Sequence, residues 1–326
     1  MNNRRKLLFI LCATAFAAPY AAIAQTGKTY RVGFLGPSSA AGSKSRVEAL
    51  RAGLRALGYA EGKNLVIEFR WADDKYDQLT KLASELVHLK IDIIVTHGTP
   101  GIRAAKQATA SIPIVMATAG DANIAGLVAN ISRPEANVTG LTFFNPELAA
   151  KRLEVLRDTF PRIKRIAVMQ NPDNPSMTTV LAAMAQTAKM LKMELQPVAV
   201  RSAKELESAF AAMTKNRAEA LIVIEDATLN GNLKKIADLA IKHRMPAISL
   251  PEFAEAGALM AYGVDLVEMF RRSAYFVDRI LKGAKIADLP VERASKFELI
   301  LNMQTAKAFG TKFPDSIKLR ADRVIE

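Results

Sequence analysis

Apolar positions along the chain fall into short β-branched runs separated by helical stripes. Ile91, Ile93, Ile94 and Val95 form one such run, the composition of a strand buried on both faces of a parallel sheet. It stops at Thr96-His97-Gly98-Thr99-Pro100. There Thr99 suits an N-cap and Pro100 the first helical position, where its missing N–H costs nothing, and Gly98 leaves room for close approach to the backbone. Upstream, residues 30–35 read as a first strand, ended by Gly36-Pro37-Ser38-Ser39. Val47, Leu50, Leu54 and Leu57 then mark one face of a helix that Gly58 stops. Residues 64–70 predict a second strand, and Leu79, Leu82, Leu86 and Leu89 a second amphipathic helix. Residues 112–116 predict a fourth strand, ending in Ala117-Thr118-Ala119-Gly120-Asp121, and residues 138–143 one more that leads out of this half.

The pattern then starts again. Residues 165–169 predict a strand, followed by Asn171-Pro172-Asp173-Asn174-Pro175, in which Asn174 and Pro175 repeat the cap-plus-proline device. A helix to about Leu191, a strand over 194–200 and a helix over 203–213 follow. Residues 220–224, ALIVI, are the counterpart of IDIIV and end in Glu225-Asp226-Ala227-Thr228. A helix to Arg244 leads to a strand over 246–249, and residues 259–262 form another short strand. Asp265 and Glu268 suit an N-cap and N3 pair for a helix bearing Leu266, Phe270, Val277 and Ile280, which Gly283 stops. An extended segment over 290–303, a short helix near 305–309 and a closing strand or loop over 317–325 complete the chain. Repeated β-α-β alternation predicts two doubly wound α/β lobes.

Two such lobes facing each other leave one cleft, lined by their strand ends. The first lobe brings Ser38, Ser39, His97, Gly98, Thr99, Gly120 and Asp121 there. The second brings Asn171, Glu225 and Asp226, with Tyr262 at the crossing. Hydroxyls and a capped helix end on one side suit an anionic group. Carboxylates on the other suit an ammonium. Together they predict a zwitterion such as an amino acid. Short polar side chains also bond their own backbone, so loop capping is the competing role for Asp121, Glu225, Asp226 and His97.

Composition narrows the classes. The 326 residues, half of them hydrophobic, allow two domains with a large core. The first residues stand apart: Arg4, Arg5 and Lys6, then an apolar stretch over 7–18, then Ala22-Ile23-Ala24. This predicts a secretory signal over 1–24 and a mature start at Gln25. The single cysteine, Cys12, lies inside it, so the mature chain is expected to carry no thiol, disulfide or lipid on cysteine. The formal charge of +13 falls to +10 without the signal. Its basic residues recur singly along helices, which reads as a solvated surface and not as a nucleic-acid face. No G-x-S-x-G, Walker A, G-x-G-x-x-G or H-E-x-x-H is present, and His88, His97 and His243 lack metal spacing. The expectation is a binding protein with no cofactor and no metal, an α/β enzyme being the minority reading.

Several segments resemble one family: VGFLGPSS, RAGLRALGYAEGKNLVIEFRWAD, IDIIVTHGTP, GLVANISRPEANVTGLTF, ELAAKRLEVL, QNPDNP, HRMPAIS, EAGALMAYGVDLVEMFRRSAYFVDRILKGAKIADLPVE and KFELILNMQTAKAFG. In length and order they are similar to the substrate-binding proteins of bacterial ABC transporters, in the family that includes tryptophan-binding members. The resemblance implies the type I periplasmic-binding architecture, with crossings near 141–144, 262–265 and 289–292. It divides the chain into a first lobe of 28–142 plus about 264–290 and a second of 143–263 plus about 291–326. It implies a periplasmic, monomeric protein that captures a small ligand at Ser38-Ser39, Gly98-Thr99, Gly120-Asp121, Asn171 and Glu225-Asp226. It also implies delivery to a membrane permease. His97 stands where the family often has a small residue. The alternatives are a secreted α/β enzyme and a ligand sensor resembling the LacI-type regulators; the signal and the missing DNA-binding helices argue against the sensor.

Overall fold

The structure, a computed structural model, describes residues 28–134 and 136–326; the proposed signal segment lies outside them. The first sheet has six strands in the order β2-β1-β3-β4-β5-β11, all parallel. They are β1 (Tyr30–Gly36), β2 (Leu65–Trp71), β3 (Ile93–His97), β4 (Ile114–Thr118), β5 (Val138–Thr142) and β11 (Glu292–Arg293). Helices α1 (Lys44–Ala56), α2 (Leu79–His88) and α3 (Gly98–Ala108) connect the first four. Strands β3, β4 and β5 are buried along their whole length, as β-branched runs without alternation require.

The second sheet repeats the winding in the order β7-β6-β8-β9-β10, extended by β12 and β13. Its strands are β6 (Arg165–Gln170), β7 (Glu194–Ala199), β8 (Ala220–Val223), β9 (Ala247–Ser249), β10 (Met260–Gly263), β12 (Glu298–Asn302) and β13 (Arg323–Ile325). β12 runs antiparallel to β10, and the other pairings are parallel. Its helices are α4 (Asn145–Thr159), α5 (Met177–Leu191), α6 (Leu206–Lys215), α7 (Ala227–Asn230), α8 (Leu233–Lys242) and α9 (Pro251–Glu255). α10 (Leu266–Leu281) follows β10, and α11 (Met303–Phe309) and α12 (Asp315–Lys318) close the chain.

α10 opens as its sequence predicts: Asp265 Oδ1 accepts the Glu268 amide at 2.9 Å. The helix then packs on α1. A Cβ on Gly53 would lie 2.4 Å from the Arg271 carbonyl oxygen, so the two helices approach more closely than any side chain at that position permits. α10 thus returns the chain to the first lobe, and β11 pairs there with β5. The chain passes between the sheets three times: after β5, after β10 and between β11 and β12. No described helix is long and apolar enough to cross a membrane.

In both lobes the order 2-1-3-4-5 reverses direction after the first strand. Ligand crevices form outside the carboxyl ends of strands at such points. The two lobes turn these ends toward each other.

Candidate functional site

A buried cavity of about 30 Å³ lies between the lobes. Of the residues expected at the cleft, His97, Gly98, Thr99, Gly120, Glu225 and Asp226 line it. Ser38, Ser39, Asp121, Asn171 and Tyr262 do not. Ser38 and Ser43 hydroxyls bond each other at 2.9 Å, and Ser39 Oγ accepts the Gly42 amide at 3.1 Å. Asp121 Oδ1 caps its own loop, accepting the amides of Asn123 and Ile124. Asn171 Nδ2 donates to Asp226 Oδ1 at 3.2 Å, and Tyr262 contributes its carbonyl to Arg152.

The β3–α3 turn departs from its sequence reading. The N-cap is His97, and α3 begins at Gly98, whose φ of +67° favours glycine. A Cβ there would meet nothing nearer than 3.9 Å, so backbone angle and not space selects the glycine. Thr99 is therefore the second helical residue and caps no amide. Its hydroxyl instead lies 2.6 Å from Ser176 Oγ of the opposite lobe. Asn174 likewise holds the turn before α5, accepting the Ser176 amide at 3.1 Å, while Ser176 is the N-cap.

His97 is buried between Phe34 and Phe270, with ring centroids 6.2 and 5.2 Å away. Burial, with the Arg46 charge adding to it, pushes its imidazole down to about 3. It is neutral at ordinary pH, and its Nε2 has no partner among the described residues.

The two acids are already engaged. Arg152, fully buried, forks onto Glu225: Nη1 donates to Oε2 at 3.0 Å, Nη2 to Oε1, and Nε donates to the Tyr262 carbonyl at 2.8 Å. Asp226 accepts from Tyr76 Oη at 2.9 Å on each oxygen, from Asn171 and Asn174 side-chain amides, and from the Thr228 backbone. Burial raises its carboxyl, against the pull of these donors. Tyr76 comes from the first lobe and Asp226 from the second, so this bond spans the cleft.

Among the wall residues that sequence reasoning missed, three polar side chains stand out. Arg46, from α1, donates Nη2 to the Asn230 carbonyl across the cleft at 2.9 Å and sets Nε 3.6 Å from Glu252. Asn145 opens α4 beside Gly120, and Asn230 ends α7. Arg46 was detectable, since it lies on the same stripe as Leu50 and Leu54 at four-residue spacing, and an arginine on a core-facing stripe needs a buried partner. Phe143, Leu266 and Phe270 supply the apolar part of the wall. Among the described residues no group of three His, Cys, Asp or Glu is arranged to hold a metal ion.

A cavity between two doubly wound sheets, at the carboxyl ends of their strands, is where such folds bind small molecules. Residues 32–325 match the family described as ABC transporter substrate binding protein, and the chain belongs to that family. A tyrosine-binding protein of Clostridioides difficile (strain R20291) is 27% identical over 272 residues, 83% of this chain and 76% of that protein. A conserved domain protein from Vibrio cholerae, 25% identical, superposes with a TM-score of 0.83 over 91% of this chain and 100% of that one. The same fold, at 24% identity and a TM-score of 0.82 over 91% of this chain and 100% of the other, is seen in an ABC domain from Streptococcus pneumonia in complex with L-Trp. The protein is a solute-binding component of ABC transport with the type I periplasmic-binding fold, a non-catalytic class that acts outside the cytoplasm with a membrane permease.

Proposed function

We propose that this chain, after loss of residues 1–24, captures one amino acid or related carboxylate between its lobes as a monomer and hands it unchanged to its permease. The observation that carries the reading is the inter-lobe cavity, whose wall joins aromatic rings to buried polar atoms without partners. The lobes in this reading are 28–142 plus about 264–293, and 143–263 plus about 294–326, the boundary expected near 290 moving past β11 because that strand pairs with β5 in the first sheet. The ligand's carboxylate lies at the amino end of α3, at Gly98 and Thr99, with Arg46 supplying positive charge nearby. Its apolar body rests on Phe143, Leu266 and Phe270. The cavity as it stands is far smaller than an amino acid, so uptake requires the bonds Thr99–Ser176, Arg46–Asn230 and Tyr76–Asp226 to part. The tyrosine- and L-Trp-binding relatives make aromatic amino acids the first candidates.

The test is a thermal-shift screen of the mature chain over amino acids, aromatic acids, sugars and peptides. A ligand at about one hundred times its dissociation constant adds roughly 2.7 kcal/mol of stability. An amino acid or aromatic carboxylate is expected to give the largest shift. A response to sugars alone would refute the reading.

A further inference from the structure

Three carboxamide or imidazole atoms around the cavity lack any hydrogen-bond partner among the described residues: Asn145 Oδ1, Asn230 Oδ1 and His97 Nε2. Their residues are 3%, 9% and 4% exposed. Buried polar atoms are nearly always paired, and each exception calls for an explanation. These three belong to residues that line one cavity, together with Arg46, whose Nε is also without a partner. Asn145 sets its Nδ2 against Gly120, 3.2 Å from where a Cβ there would sit, and its Oδ1 is left without a partner in the same wall. The acids beside them are in the opposite condition. Every oxygen of Glu225 and Asp226 already accepts a hydrogen bond. Asp226 is held by neutral donors only, so its charge has no ionic partner among them.

We infer that the ligand's ammonium is received by the neutral carboxamide oxygens of Asn145 and Asn230, and that Asp226 supplies its counter-charge without direct contact. The inference rests on the amino-acid reading of the cleft. A carboxamide oxygen is an acceptor that an ammonium can satisfy with one of its three N–H bonds. Two of them fix the direction of the group, while the buried carboxylate behind offsets its charge in a medium of low dielectric. Glu225, paired with Arg152, adds no net charge. The ligand class that fits is an α-amino acid, in preference to the corresponding acid without nitrogen.

The experiment compares the parent with Asn145→Leu and Asn230→Leu, which keep the branched shape and the number of heavy atoms but remove the amide. Calorimetry is run with the common L-amino acids and, for each that binds, its deaminated analogue (indole-3-propionate for L-tryptophan, 3-(4-hydroxyphenyl)propionate for L-tyrosine). Thermal unfolding of the ligand-free proteins is run alongside. Each substitution is expected to weaken the amino acid at least about tenfold, the scale of one lost hydrogen bond to a charged group, and the analogue by less than about threefold. The midpoint of the free protein should stay or rise, because an unpaired buried amide has been removed. Variants that bind the amino acid as tightly as the parent overturn the inference. So do variants that lose amino acid and analogue alike, or whose free midpoint drops by several degrees, since the amides would then be structural. A parent that binds its best ligand equally well with or without the amino group fails the inference but not the proposed function; a parent that binds no amino acid or carboxylate at all fails both.

Discussion

Single residues decide where charge goes in this protein. The Arg152–Glu225 fork is fully buried at the cavity's edge. Removing one partner strands the other charge, which typically costs about 3–5 kcal/mol. Arg152→Met is therefore expected to lower the unfolding free energy by that amount, measured by urea denaturation. Glu225→Gln leaves Arg152 uncompensated and should be similarly destabilised. Glu252 gives a pH signature. Burial raises its carboxyl from 4.5 to about 7, with Arg46 pulling it down and Asp265 and Glu255 adding to the rise. A carboxyl whose folded pKa exceeds its unfolded one holds its proton more tightly in the fold, so stability falls as pH rises from about 4.5 to about 7 and then levels. Glu252→Gln should remove that fall and gain up to about 3 kcal/mol at pH 8, at roughly 1.4 kcal/mol per pKa unit. Unfolding curves of parent and variant from pH 5 to pH 8 check it; parallel curves would contradict it.

At the scale of elements, periodicity located strands and helices well but not what their ends do. The run IDIIV enters a fully buried strand at Ile93, two residues later than its first apolar position, and that strand continues to His97; the Asp265 cap is in place. Thr99 suits a cap by residue type, but the helix begins at Gly98, two residues before the expected Pro100, and Gly98 adopts a positive φ, a backbone choice that composition does not reveal. α4 passed unread, although its stripe Leu148, Ala149, Leu153 and Leu156 is apolar, with Arg152 placed on that same face. Which acid meets which amide depends on side chains far apart in sequence, such as Tyr76 and Asp226, and no local pattern encodes that. The α1–α10 contact is open to test. Gly53→Ala places a methyl 2.4 Å from the Arg271 carbonyl and should cost about 1–3 kcal/mol, as overpacking does. Ala49→Gly on the same helix removes a methyl and should cost about 1 kcal/mol through helix propensity. Thermal unfolding separates the two.

At the scale of the molecule, the lobes meet through a few polar bonds. Tyr76→Phe removes the hydroxyl that both oxygens of Asp226 accept. It leaves the acid short of a donor in the closed form, at a cost of about 1–3 kcal/mol. The variant should populate a more open form, seen as a larger radius of gyration by small-angle scattering, and bind its ligand more tightly, because less of the closed form has to be undone for uptake. An unchanged radius together with unchanged affinity would show that this bond does not hold the lobes together. The two-lobe architecture was legible because the same β-α-β order is written twice, whereas the closed contacts were not. The central claim, one small ligand captured between the lobes and released unchanged, is tested most directly by isothermal titration of the mature chain with L-tryptophan and L-tyrosine, followed by mass analysis of the eluted ligand. The expected result is a single site per chain for at least one of them, with the amino acid recovered intact; two independent sites or a converted product would contradict it, as would no binding of these or any other amino acid or carboxylate of the screen.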